Sequence, residues 1–278
     1  MLPIPHQHAG SREATGYFPV SAKLLWIMGG YRFAGRGGVE LAWHEIGSGR
    51  PLILLPGFGG TGSRMLEHGP ADALAAQGHR IVLPDFRGYG DSAKPRDPTG
   101  YPPDVLADDG FALVEHLGLG DGDYDLGGYS LGARIVVRML ARDAKPGRAI
   151  VAGQGLANVS GPPGGGANHR VLTALVNGIA IEPDSPDAHR AQAISKGSAD
   201  PRVMLHVLDS LVPTSEAALR GIAVPALVAI GDQDERCDAD QLAALLRNAR
   251  FVRVPGDHAS ALVAPELTIA ILTFLAEH

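Results

Sequence analysis

The chain has 278 residues, 45% of them hydrophobic and 19% charged, enough apolar material for one large core without help from a metal or a disulfide. Its formal net charge of -6, with positive residues dispersed rather than run together, offers no footprint for nucleic acid and sets that partner aside. The single cysteine, Cys237, permits no intrachain disulfide and no thiolate cluster for zinc; it reads as a small filler in a reducing, cytoplasmic setting.

The opening stretch, MLPIPHQHAGSREATG, has no basic region followed by an apolar run of the export type. LLWIM is far shorter than the roughly 20 residues of a membrane span, so no membrane partner is expected. The first thirty or so residues precede the sheet and are assigned no role, with KLLWIM expected to pack on the body. VELAWHEIG predicts an edge strand, PLILLPG a strand buried on both faces, ADALAAQG a helix closed by Gly78, and HRIVLPDF another buried strand. The alternation continues through a helix from about Val105 to Leu117, a strand before Gly127, the helix LGARIVVRMLARD and the strand GRAIVAGQG. Such alternation predicts an α/β fold, a mostly parallel twisted sheet with helices on both faces.

From about Leu156 to Arg220 the buried strands vanish. The loop SGPPGGGAN and short helical pieces such as HRVLTALVNGIA and PRVMLHVLDSLV predict a small inserted helical cap. Residues 1–155 and 221–278 then form the core domain and 156–220 the insertion. Strand character returns in VPALVAIG and ARFVRVPG, and the helix PELTIAILTFLAEH closes the chain.

In DLGGYSLGAR, Ser130 stands between Gly128 and Gly132 where a buried strand hands over to a helix. A serine in GxSxG at such a turn is held on a strained bend with its hydroxyl above the strand ends, and the flanking glycines leave room for packing. The turn at Ser130 has neither GxGxxG nor a GK[ST] ending, which removes a phosphate-cradling loop there, and no HExxH pattern points to a metal. A serine hydroxyl becomes a nucleophile only beside a base, and the base needs a third group to hold its tautomer. LVAIGDQDERCD offers Asp232 or Asp234 as the acid, and FVRVPGDHASAL offers His258, each just past a predicted strand. His169, His189 and His206 fall in the predicted cap, while His79 and His116 precede the serine and read as surface residues.

Through GGYSLGAR, LPDFRGYGDSAKP, VPALVAIGDQD and PGDHA, the chain from Gly38 to His278 resembles the α/β-hydrolase family and its serine hydrolase branch. The resemblance implies Ser130, Asp234 and His258 as catalytic residues, with Asp232 as the alternative acid and Asp257 as a turn residue. It implies LLPGFGG as the oxyanion loop, with backbone N–H donors from Phe58 and from Leu131. Pro56 stands where many members have histidine, a departure that bears on loop geometry and substrate subclass. Asp85, Arg87 and Asp91 are expected to pin loops beneath the site, as that family uses this turn, with contact to substrate as the alternative.

A serine nucleophile argues against the aspartate-based dehalogenases and epoxide hydrolases of that family. It leaves hydrolysis of an ester, lactone or thioester, with carbon-carbon cleavage of a dienoic keto acid, or ligand binding without catalysis, as alternatives. Leu172, Leu175, Met204, Leu205 and Leu208 of the cap predict an apolar cover over a small to medium uncharged substrate. No cofactor is expected, and the oligomeric state is not legible.

Overall fold

The central apolar segments form strands buried on both faces: β3 (Arg50–Leu55), β4 (His79–Pro84), β5 (Asp125–Tyr129), β6 (Ala149–Ala152) and β7 (Ala226–Gly231). With β8 (Ala249–Val254), β2 (Glu40–Ile46) and β1 (Tyr31–Ala34) they make one eight-stranded sheet in the order β1-β2-β4-β3-β5-β6-β7-β8. This computed structural model describes residues 30–277 apart from residues 163, 165 and 198, so KLLWIM lies outside the described residues. Strands β4 to β8 run parallel through β3, and β2 is antiparallel to β4.

VELAWHEIG was expected at the sheet edge, but β1 pairs antiparallel with β2 and takes that place. Tyr31 stacks on Trp43 with ring centroids 4.9 Å apart, so β1 covers an aromatic side chain that an edge strand would leave open. With four residues and Phe33 alone buried, β1 is too short for its pattern to register.

Side-chain alternation along each strand divides the core in two. Ile53 and Leu55 of β3 join Val151 and Val228 on one face, packed with α3 (Val105–His116), α4 (Leu131–Ala141) and α10 (Ala239–Leu245). Leu52 and Leu54 join Ile150 and Leu227 on the other, with α1 (Gly62–His68), α2 (Ala71–Ala76) and α11 (Pro265–Leu275).

Between β6 and β7 the described residues form helices only: α5 (Leu156–Ser160), α6 (Ala167–Asn177), α7 (Pro186–Ser195), α8 (Pro201–Asp209) and α9 (Glu216–Gly221). Their starts are written locally. Ser185, Asp200 and Ser215 each accept a backbone N–H from the first turn, and Pro186 and Pro201 open their helices. Helix α8 turns Val203, Met204 and Val207 into the core that also holds Tyr89.

The turn after β4 ties these parts together. Asp85 accepts from the N–H groups of Gly62 and Asp91, each at 2.7 Å, and Ser92 Oγ donates to Asp85 O at 2.6 Å. Arg87, nearly inaccessible to solvent, grips Asp109 through two bonds of 2.8 Å and also donates to Gly100 O and Arg36 O. Burial pushes the Asp109 carboxyl up, against the pull of Arg87. Asp109→Asn should therefore strand a buried guanidinium charge and cost about 3–5 kcal/mol in urea unfolding. Replacing both partners by Met and Leu should recover most of that loss, and a single-variant cost below about 1 kcal/mol would remove this pair from the fold's supports.

Candidate active site

Ser130 ends β5 and opens α4 with φ 54 and ψ -115, a left-handed-side conformation that a residue with a Cβ adopts only under constraint. A Cβ on Gly128 would collide with the Gly132 backbone, and one on Gly132 would collide with Leu55 O. The strand-to-helix bend can thus close only with glycine at both places. Ser130 N–H donates to Ala152 O at 2.8 Å, while Ser130 O accepts from Arg134 N–H and from Gln154 Nε2.

Three loops, after β5, β7 and β8, converge above the strand ends. His258 Nε2 lies 2.9 Å from Ser130 Oγ, and His258 Nδ1 lies 2.7 Å from Asp234 Oδ2. The Asp234 side chain is buried and its other oxygen accepts from Arg236 N–H at 3.1 Å and from Arg236 Nη1 at 3.0 Å. Burial pushes the Asp234 carboxyl up, but the hydrogen bond from His258 and the bonds and charge of Arg236 outweigh it and hold the group below its ordinary value. An ionised carboxylate only accepts, so Nδ1 of His258 carries the proton and Nε2 presents its lone pair to the serine.

The other acids have different work. Asp232 Oδ1 accepts from Gly256 N–H at 2.9 Å, tying two loops, and Asp257 accepts from Ala259 N–H and Ser260 N–H within its own turn. Tyr129 donates its hydroxyl to His258 O at 2.7 Å and sets its ring 5.4 Å from the imidazole.

Burial lowers the pKa of His258, and the positive charge of Arg236 adds to that, against the opposing pull of Asp234. The imidazole is therefore neutral and basic at pH 7. Any reaction that uses it as a base should lose its rate on acidification only below about pH 6.5, the ordinary histidine value. Arg236→Gln, which removes the nearby cation, should move that acid limb to higher pH in a kcat/KM profile; a limb that stays in place would separate Arg236 from the titration.

The loop after β3 passes beside the serine. A Cβ on Gly57 would touch Ser130 Cβ at 3.6 Å, and the loop turns through a bond from Gly60 N–H to Gly57 O at 3.0 Å. Phe58 and Leu131 both line the cavity that holds Ser130, and neither of their N–H groups has a protein acceptor among the described residues. Leu131 owes its free donor to its place in the first turn of α4.

Ser130 opens onto two cavities. The smaller, ≈ 440 Å³, is lined by Arg134, Gln154, Asn158, His169, Arg190 and Leu208 among others. The larger, ≈ 810 Å³, runs past Thr61, Arg64, His258 and Leu262. The expected apolar cover is mostly not there. Of the five residues expected to form it, Leu208 lines the smaller cavity, whereas Leu172 and Met204 are buried in the core and Leu205 packs against it. Leu175 is half-buried and lines neither cavity. The apolar stripe of an amphipathic helix turns to the body, and this leaves polar residues for the cavity wall.

Arg134, Gln154, Asn158, Arg190 and Arg236 were missed from the sequence. A signal existed for Arg134, which follows Ser130 by four residues in a helix and so shares its face. One further group was not visible in the sequence. His44, Asp85 and Asp91 bring possible metal-ligand atoms within 4.8 Å of one another, but the Asp85 oxygens already receive N–H groups from Gly62 and Asp91.

A model of the alpha/beta hydrolase fold family matches residues 50–156. The AB hydrolase superfamily protein YisY of Bacillus subtilis is 38% identical over 104 residues, which span 37% of this chain and only 37% of that relative. A hydrolase from Pseudomonas aeruginosa superposes with a TM-score of 0.72 at 22% identity, over 90% of this chain and 99% of that one. An esterase from Exiguobacterium antarcticum superposes at 0.71 with 20% identity, over 90% and 100%. The chain has the α/β-hydrolase fold. No helix among the described residues is long and apolar enough to cross a membrane.

Proposed function

We propose that this chain is a serine hydrolase that cleaves a carboxylic ester, lactone or thioester through an acyl-enzyme on Ser130. The observation that carries the reading is the unbroken hydrogen-bond chain from Ser130 Oγ through His258 to the buried carboxylate of Asp234. In the reaction, His258 Nε2 takes the hydroxyl proton as Oγ bonds to the substrate carbonyl carbon, and the carbonyl oxygen becomes the oxyanion. The N–H groups of Phe58 and Leu131, without a protein acceptor among the described residues, receive that charge. Collapse of the intermediate breaks the bond to the leaving group, which departs with the proton from Nε2. Water then repeats the sequence, losing a proton to Nε2 and releasing the acid and Ser130. Pro56 does not interfere with this scheme, because both oxyanion donors are backbone groups.

The strained backbone at Ser130 argues for chemistry over passive ligand binding, since a bend of that kind persists only where the surroundings enforce it. The polar lining of the smaller cavity argues against the uncharged apolar substrate expected from the cap leucines. The test is a turnover screen over esters, lactones, thioesters and dienoic keto acids, with the Ser130→Ala protein as control. Ser130-dependent release of a carboxylic acid from one of the first three classes is the expected result, and Ser130-independent turnover, or none, would overturn the reading.

A further inference from the structure

Four guanidinium groups line the cavities that meet at Ser130: Arg134 in the smaller one, Arg64, which is exposed, in the larger, and Arg190 and Arg236 in both. Arg236 is already committed, with Nη1 at 3.0 Å from Asp234 Oδ1 and 3.6 Å from Glu235 Oε1. The half-buried Arg134 and Arg190 are not. Arg134 Nη2 donates to Gly161 O at 3.2 Å and Arg190 Nη1 to Asn168 Oδ1 at 3.1 Å, both neutral acceptors, while Asp187, on which the Arg190 charge also acts, is paired with Arg170. The Nε of Arg134 and that of Arg190 are buried with no acceptor among the described residues. By contrast, Arg50, Arg80, Arg87 and Arg138 each meet a carboxylate, on Asp125, Glu45, Asp109 and Asp104 respectively.

Burial pushes the Arg134 pKa down with no acid to offset it, although a guanidinium keeps its charge even so. A positive charge held in a cavity wall with unmet donors is matched by an anion, and a planar fork of N–H groups is matched best by a carboxylate. His169, the other titratable group of this wall, is engaged with Asp209 at 2.8 Å, and Glu235 on the rim of both cavities is engaged with Arg236.

The two cavities also differ in what they hold. His258 lines the larger and not the smaller, and in the proposed reaction Nε2 returns its proton to the leaving group. The leaving group therefore belongs in the larger cavity and the acyl group in the smaller. We infer, resting on the reading of Ser130 as nucleophile, that the acyl part of the substrate carries a second, free carboxylate. The substrate is then a monoester or monothioester of a short dicarboxylic acid, its free end bound by Arg134 and Arg190. Hydrolysis consumes one water and releases the dicarboxylate and the alcohol or thiol.

The test compares naphthyl monoesters of glutaric and adipic acid with naphthyl esters of uncharged acids of matched chain length. The wild-type protein should favour the charged esters in kcat/KM by about tenfold or more, and added salt should erode the preference. Arg134→Met and Arg190→Met should each collapse the charged-to-uncharged ratio towards one, and Arg134→Lys should restore part of it. Ser130-dependent hydrolysis of the uncharged esters with no preference for the charged ones, or a ratio that survives both variants, would overturn this inference and leave the serine hydrolase reading standing. Absence of any Ser130-dependent turnover would overturn both.

Discussion

Ser130→Ala should lower kcat by about 10⁵ to 10⁶-fold, while the KM of a turned-over ester changes little. In the proposed reaction Oγ forms and breaks the covalent bond, so its loss would remove the acyl-enzyme route altogether. What remains is the slow attack of water on a substrate still held in place. The free N–H groups of Phe58 and Leu131 should keep that residual rate about 10³-fold above the uncatalysed one. Steady-state and single-turnover kinetics on the same ester check both parts. A drop below about tenfold would mean that the serine is not the attacking group.

Asp234→Asn carries the second largest expected effect, a fall in kcat of about 10⁴-fold. An asparagine amide can donate to Nδ1, which would place the imidazole proton on Nε2 and leave no lone pair for the Ser130 hydroxyl. Asp232→Asn should be mild by comparison, since among the described residues the Asp232 side chain meets the Gly256 N–H and not His258. Matching thermal melts for the two variants separate chemistry from folding. The reverse ranking would hand the role to Asp232.

The parts of this molecule that were legible in its sequence are those written locally. The glycines around Ser130 are demanded by two backbone approaches, Asp234 and His258 sit just beyond the ends of β7 and β8, and β6 and β7 are unbroken apolar runs. Strand β1 was not legible because its role comes from the partner it covers, Trp43, and not from a pattern of its own. Helix α7 carries little signal of its own for a related reason: Ala191 is its one buried residue, so no apolar stripe announces it. The cavity wall was the largest departure. Leu172 and Met204 look like pocket residues in a list of apolar positions, but tertiary packing draws them into the core, and Arg134 and Arg190 are left facing the space above the serine.

The central claim is that Ser130 becomes covalently bonded during turnover, and peptide mass spectrometry after treatment with a fluorophosphonate tests it most directly. Phosphorus takes the place of the carbonyl carbon, so the adduct should appear on the peptide carrying Ser130, on no other serine, and with rapid loss of esterase activity in proportion to labelling. Modification at another residue, or an active protein that stays unlabelled, would contradict the account.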